Sequence, residues 1–218
     1  MYKRIPNKRL TDRKFKQLID EWIFMTPARV CAQKISVNRN TVNLWYQKIR
    51  KKISELPEPE KFKGEVEIDE SYFGKKRPWI QGTGVADKIA VFGIKERDTG
   101  KVWCTVTEGT NHTYLVPIIE WRVEKGTMIY SDGFGAYKHL KKYGYKHEVV
   151  LHSKNEYSRG NGIHTNGIES FWAYAKKLTR SRKGLPRKDY HLHLKEVAFR
   201  FNNRDIRLMR LLVRELLR

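Results

Sequence analysis

Apolar positions in the first third of the chain recur with the period of a helix. Phe15, Leu18, Ile19, Trp22 and Ile23 fall at i, i+3, i+4, i+7 and i+8, and Thr11 or Asp12 stands where an N-cap belongs. Thr26-Pro27, a cap followed by proline in the first turn, predicts a second, short helix ending near Lys34. After a break at Ile35-Ser36-Val37, Asn38 caps a third helix whose apolar stripe is Val42, Trp45, Tyr46 and Ile49. Two short helices, a turn and a capped third helix make a helix-turn-helix pattern. Arg39, Asn40 and Asn43 at its exposed start are side chains that read base edges, and Lys48 and Arg50 further along suit phosphates. A three-helix bundle with a solvated basic face is the plainer alternative.

The pattern then changes. Residues 55–64, ELPEPEKFKG, carry two prolines and no periodicity, which predicts a linker with a domain boundary near residue 61. Beyond it, EVEID, KIAVFGIKE and KVWCTVTEG alternate as strands joined by turn-rich segments. HTYLVPIIEWRVE reads as a helix, TMIYSD as a strand, AYKHLKKYG as a short helix and KHEVVLHS as a fifth strand. The helix of HTNGIESFWAYAKK and two further basic helical stretches close the chain. Three hairpin-joined strands followed by helix, strand, helix, strand, helix predict an α/β fold: a ribonuclease H-like mixed sheet flanked by helices over residues 62–205. It is preceded by an all-α helix-turn-helix domain over 1–61. Residues 206–218, with Arg207, Arg210, Arg214 and Arg218 along one side and leucines along the other, form a basic amphipathic helix suited to packing, dimerisation or DNA.

Composition changes this picture mainly through charge. The net charge is +21 in 218 residues, which points to a polyanionic partner. Residues 1–61 carry +9 (15 basic, 6 acidic), residues 62–169 only +2 (16 and 14), and residues 170–218 carry +10 (14 and 4). Both ends are built to meet phosphate, while the middle keeps most of the carboxylates, as a metal-binding centre requires. Cys31 and Cys104 stand far apart with no C-x-x-C partner, so they read as buried side chains rather than a zinc or disulfide framework. No apolar run is long enough to span a membrane, and no leader-like apolar segment opens the chain, so a cytoplasmic, nucleoid-associated protein is expected.

Three acids stand where such a sheet brings strand ends together: Asp69 ending the first strand, Asp132 ending the fourth, and Glu169 near the start of the late helix. Carboxylates on two hard divalent cations can activate an attacking oxygen and stabilise a leaving one in phosphoryl transfer. Each has a plainer reading. Asp69 alternates with Glu65 and Glu67 along a polar strand face, and Glu67 or Glu70 could serve instead. Asp132 precedes glycine, a common turn pair. Asn166 and Glu169 could form a capping box. Lys176, seven residues after Glu169, returns to nearly the same helix face, where a cation can hold a phosphate.

With these residues in view, VEIDESYFG, YSDGFGAY, HTNGIESFWAYAKK and HLHLKEVAFRFNNR resemble bacterial insertion-sequence transposases of the DDE type, in the group marked by H-T-N-x-I-E-x-F-W. The resemblance runs from about residue 20 to 205. It implies a ribonuclease H-like catalytic domain, two Mg²⁺ or Mn²⁺ ions, catalytic and metal-binding Asp69, Asp132 and Glu169, and Lys176 on the DNA. Some members carry a zinc ribbon, or Asn as the third acid; here no ribbon is seen and Glu169 is present, with Asn166 and His164 as auxiliary candidates. The basic loop with Lys75, Lys76 and Arg77 fits a DNA-contacting hairpin or a merely solvated loop. His164 has a structural reading as well, and Phe171 and Trp172 read as core.

The expected activity is that of an insertion-sequence transposase. It binds double-stranded DNA at terminal inverted repeats, cleaves the element ends and joins the 3′-OH to target DNA, as a homodimer or higher oligomer and without a membrane. A non-catalytic DNA-binding regulator and a structure-selective ribonuclease H-like nuclease are the alternatives.

Overall fold

The computed structural model describes residues 10–74, 88–150, 164–182 and 185–217. By internal contacts the chain forms two compact units, one of the described residues up to Pro57 together with those from Asn203 onward, the other Glu58–Asn202.

The first unit is helical: α1 (Asp12–Ile23), α2 (Ala28–Lys34), α3 (Arg39–Ser54) and α7 (Ile206–Leu216). Thr11 caps α1 by accepting the Lys14 amide, and Asn38 caps α3 by accepting the Asn40 amide at 2.8 Å. The predicted stripes are buried: Leu18, Ile19, Trp22, Val42 and Ile49 are essentially without solvent contact. In α2, Pro27 takes the cap position and no side chain caps the helix, so Thr26 does not play the part expected of it. The final helix packs on α1 and α3 through Met209, Val213 and Leu217, and Arg210 pairs with Asp20 at 2.6 Å.

The second unit holds a five-stranded sheet of order β3-β2-β1-β4-β5, with β1 (Glu65–Phe73), β2 (Ile89–Glu96), β3 (Val102–Thr107), β4 (Met128–Asp132) and β5 (Lys146–Val150). The hairpin-joined β1, β2 and β3 are antiparallel, and β4 and β5 add in parallel beside β1. This is the ribonuclease H-like mixed sheet that the element order predicted. Between β4 and β5 the chain forms 3-10 turns at Gly135–Tyr137 and Leu140–Tyr143 rather than the short α-helix expected. Gly144, with φ of 82°, ends the second of them. Residues 58–64 are not a free tether. Phe62 bridges to Val123, and Glu58 accepts from the Trp103 indole at 2.5 Å.

Helices cover both faces, so strands that alternate side chains bury both sets. On one face Val66, Ile68, Phe92, Ile94 and Ile129 pack against α4 (His112–Arg122) and the 3-10 turns. On the other, Phe73, Val91 and Cys104 pack against α5 (Asn166–Ser181) and α6 (Tyr190–Asn202), where Ile168, Phe171, Trp172 and Ala175 supply the contacts. Phe171 and Trp172 are core, as read from the sequence. Both cysteines are buried and free, and burial pushes the Cys104 thiol up to about 12. Among the described residues no helix is long and apolar enough to cross a membrane.

The approach of α5 to the sheet is set at Gly93. A Cβ there would stand 2.5 Å from the Trp172 ring. Gly93→Ala is expected to cost about 1–3 kcal/mol through overpacking, whereas Gly135→Ala, with nothing within 4 Å of its added carbon, changes little. Thermal unfolding of the two variants checks this; equal stability would show that α5 can shift at no cost.

Candidate active site

The register of the two parallel strands builds the site. Val66 pairs with Ile129 and Glu67 with Tyr130. Two residues further along each strand come Asp69 and Asp132, so the acids hold equivalent register positions on neighbouring strands, just past the paired stretch. Because side chains alternate, Asp69 shares its face of β1 with Glu67 and not with Val66 and Ile68. That is the face on which α5 lies, and α5 carries Glu169 in its first turn.

Asp69 does not end its strand, as the sequence suggested. β1 continues to Phe73 because Ser71, Tyr72 and Phe73 go on pairing with Val91, Ala90 and Ile89 of β2. Asp69 instead lies just beyond the stretch that pairs with β4, which leaves its flank open toward Asp132. Its own carboxylate accepts the Glu70 amide at 2.8 Å, and Asp132 accepts the Phe134 amide at 3.0 Å. Both backbones are thereby braced next to the acids.

The electrostatics tie the three acids together. The Asp69 carboxyl is raised from 3.8 to about 6, chiefly by burial, then by the charge of Asp132 and, more weakly, of Glu169. The Glu70 amide opposes the rise, as does the Trp172 indole N–H, which is buried and has no aligned hydrogen-bond acceptor among the described residues. Glu169 is exposed and accepts from the Thr165 hydroxyl at 3.1 Å. Lys176 lies two turns further along α5, about 10 Å by helix rise, and is half-buried.

The alternatives Glu67 and Glu70 have other occupations. Glu67 is 1% exposed, accepts the Ile168 amide at 2.7 Å and the Arg97 Nε–H at 3.1 Å, and has His164 Nδ1 at 3.3 Å. The His164 contact is not aligned as a hydrogen bond. Glu70 points to the opposite face, where it accepts from the Tyr137 hydroxyl. Burial, with Asp69 and Asp132 nearby, pushes it up to about 8. Asn166 is the exposed first residue of α5, so the capping box with Glu169, the plainer reading of these two residues, does not form; Thr165 holds the N-cap position. His164 gives its carbonyl to Arg97. Sequence reasoning missed Arg97, whose guanidinium also stacks 3.6 Å from the Tyr130 ring centre. Its partners lie 30 to 67 residues away, and no local pattern signals them.

Arg39, Asn40 and Asn43 are exposed at the start of α3. Lys48 is exposed over the Trp45 ring, and Arg50 is half-buried. Lys75, Lys76 and Arg77 lie outside the described residues, as do the final residues expected in β5.

Among the described residues no three His, Cys, Asp or Glu side chains form a ready-made metal cage. The donors are nonetheless hard carboxylate oxygens, and Mg²⁺ is usually held by one or two carboxylates plus waters and substrate phosphate oxygens. Asp69 is raised chiefly by burial and then by the charge of Asp132, which places carboxylates of like charge close together. Asp69, Asp132 and Glu169 are the residues whose oxygens could hold such an ion.

Residues 61–202 match the family model of the ISXO2-like transposase domain. A transposase-like protein of Haemophilus influenzae is 34% identical over 107 residues, which is 49% of this chain and 85% of that one. A protein of the transposable element ISH50 from Halobacterium salinarum is 27% identical over 177 residues, covering 73% of this chain and 59% of its own length. The catalytic core domain of HTLV-2 integrase in complex with magnesium aligns with a TM-score of 0.39 at 12% identity, over 64% of this chain and 85% of that one.

The raised carboxyls set a sign for stability against pH. An acid whose folded pKa is higher than its unfolded one keeps its proton longer when folded, so stability falls as pH rises between the two values. For Glu70 that window runs from 4.5 to about 8. In metal-free buffer, Glu70→Gln is expected to flatten the decline in Tm across this window; an unchanged slope would remove Glu70 as its source.

Proposed function

Since the chain belongs to the ISXO2-like transposase family, we propose that it cuts and joins DNA at Asp69, Asp132 and Glu169. The observation that carries this is the β1–β4 register, which gives Asp69 and Asp132 equivalent positions on neighbouring strands, on the face covered by α5. Its DNA would be the terminal inverted repeats of its own element and a target duplex. Asp69, Asp132 and Glu169 would hold two Mg²⁺ or Mn²⁺ ions, which when bound activate the attacking oxygen and stabilise the leaving one. Ionised Asp69 is required for that, and its raised pKa makes protons competitors for the site.

Lys176 follows Glu169 along α5 and would hold the phosphate beside the acids. The reaction breaks a phosphodiester at the element end by water, then forms a new one between the freed 3′-OH and a target phosphorus, expelling a target 3′ oxygen. No covalent protein–DNA bond is required. The first three helices would recognise the repeat, with Arg39, Asn40 and Asn43 toward base edges and Lys48, Arg50, Lys75, Lys76 and Arg77 on phosphates. His164 and Asn166 would play auxiliary parts at the start of α5. Two or more copies would act together on paired ends. A regulator without catalysis would have no use for a half-buried Asp69 held beside two other acids.

The test is cleavage and joining of labelled repeat-bearing DNA, with an RNA–DNA hybrid for comparison. Asp132→Asn is expected to leave end binding intact and to slow strand transfer by about 100-fold or more, roughly 2.7 kcal/mol of barrier. Full activity in that variant removes Asp132 from the mechanism, and preference for the hybrid identifies a nuclease instead.

Arg39→Ala should weaken binding to the repeat by about 1–3 kcal/mol while sparing random DNA. A gel-shift comparison showing equal loss on both would reduce Arg39 to a phosphate contact.

A further inference from the structure

The start of α5 is capped in an unusual way. A helix commonly has the amide three residues past its N-cap satisfied by the cap's own side chain. Here the cap is Thr165 and that amide is Ile168, yet the Thr165 side chain makes no cap bond and its hydroxyl turns to Glu169. The Ile168 amide goes instead to Glu67, a carboxylate 101 residues earlier in the chain and on another element.

Glu67 is thus joined to both halves of the proposed site. It shares its face of β1 with Asp69, two residues on, and it binds the amide immediately before Glu169. A carboxylate buried to 1% exposure is costly unless paired and hydrogen-bonded. Arg97 of the β2 end supplies the pairing: its Nε–H bonds Glu67 at 3.1 Å, its other nitrogens reach Glu65 at 3.2 Å and the His164 carbonyl, and its guanidinium is stacked on Tyr130. The partial positive end of α5 favours the same charge. Gly167 makes the approach possible, because a Cβ there would meet Glu67 Oε2 at 2.7 Å and the Lys95 ammonium. One carboxylate therefore spans from strand to helix with no slack.

We propose that Glu67, clamped by Arg97, is the positioning residue of the site: by accepting the Ile168 amide it fixes the helix bearing Glu169 against the strand bearing Asp69. Glu67 touches neither substrate nor ions, and it acts through the separation of the two acids. The inference rests on the reading of Asp69, Asp132 and Glu169 as metal ligands.

The test uses the full chain and Mn²⁺ as the probe, with affinity measured by calorimetry in four proteins: the unaltered chain, Glu67→Gln, Glu169→Gln and the double variant. Glu67→Gln keeps the size of the side chain but replaces the charge that Arg97 clamps. It is expected to weaken Mn²⁺ binding about tenfold in the unaltered background and less than twofold on the Glu169→Gln background, since the group it positions is then gone. Hydrogen exchange at the amides of residues 168–170 should quicken, and binding to repeat DNA should stay within about twofold.

Arg97→Lys, which keeps a cation but loses the fork, is expected to give the same pattern at about threefold and serves where Glu67→Gln does not fold. An unchanged Mn²⁺ affinity, or an equal loss with and without Glu169, overturns the positioning role. Equal Mn²⁺ affinity in the unaltered chain and Glu169→Gln is a different result: it removes Glu169 as a ligand and takes both readings with it.

Discussion

Everything proposed for the second unit depends on the parallel hydrogen bonding of β1 with β4. Side chains on a strand alternate with a period of two, so a slip of one residue would turn Asp132 to the face that α4 covers. The register is held by what surrounds it. Val66 and Ile129, paired across the ladder, are both fully buried in the α4-side core, and a slip would drive one of them out. β4 is also locked on its other edge by β5, with Asp132 paired to Val150. The acids inherit their placement from apolar packing on the reverse of the sheet, which is why a chemically repulsive arrangement can persist.

Burial, with the neighbouring carboxylates adding to it, decides how the protein distributes protons here. Asp69 and Glu70 are adjacent in sequence but face opposite ways. Asp69 is raised to about 6 on the α5 side, and Glu70 to about 8 on the other side, against Tyr137. At neutral pH Glu70 is mostly protonated, so the centre does not carry the full formal charge of its carboxyls. Asp69, with the lower value, ionises at a lower pH than Glu70. The near-neutral balance of residues 62–169 conceals this local excess of acid, while the sequence on either side of it is strongly basic.

How much of this was legible in the sequence follows from the range of the interactions. Caps and stripes act within one or two turns, and so Asn38, Thr11 and the Val42–Ile49 stripe could be read directly. The succession of strands and helices followed from alternation and turns, and Asp69, Asp132 and Glu169 were singled out as candidates by their place in it. Partnerships across long separations left no local trace. Glu67 reads as the polar face of a strand, and only folding reveals that it caps a helix a hundred residues on. Asn166 offered a capping box with Glu169, and nothing local signalled that Thr165 takes the N-cap position while Glu67 takes the Ile168 amide. Arg97 looks like a charged hairpin end until its partners Glu67, Glu65, His164 and Tyr130 are known. The last helix reads as a separate amphipathic piece because Met209, Val213 and Leu217 meet α1 and α3 only after the rest of the chain has intervened.

The division of labour around α5 has a physical rationale. Had Thr165 capped the Ile168 amide, as a local cap does, the helix end would have been self-sufficient, and its first turn would have met β1 mainly through apolar packing of Ile168 and Trp172. Apolar contacts resist overlap but tolerate sliding, whereas a hydrogen bond weakens steeply when its geometry is lost. Handing the amide to Glu67 converts a sliding contact into a fixed one at the end of the helix nearest Glu169, and frees the Thr165 hydroxyl to hold the Glu169 carboxylate itself. Pairs of carboxylates that share small hard cations need their separation held to a fraction of an ångström. A buried, clamped carboxylate at the strand–helix junction is a costly device for stability, but a well-suited one for that purpose.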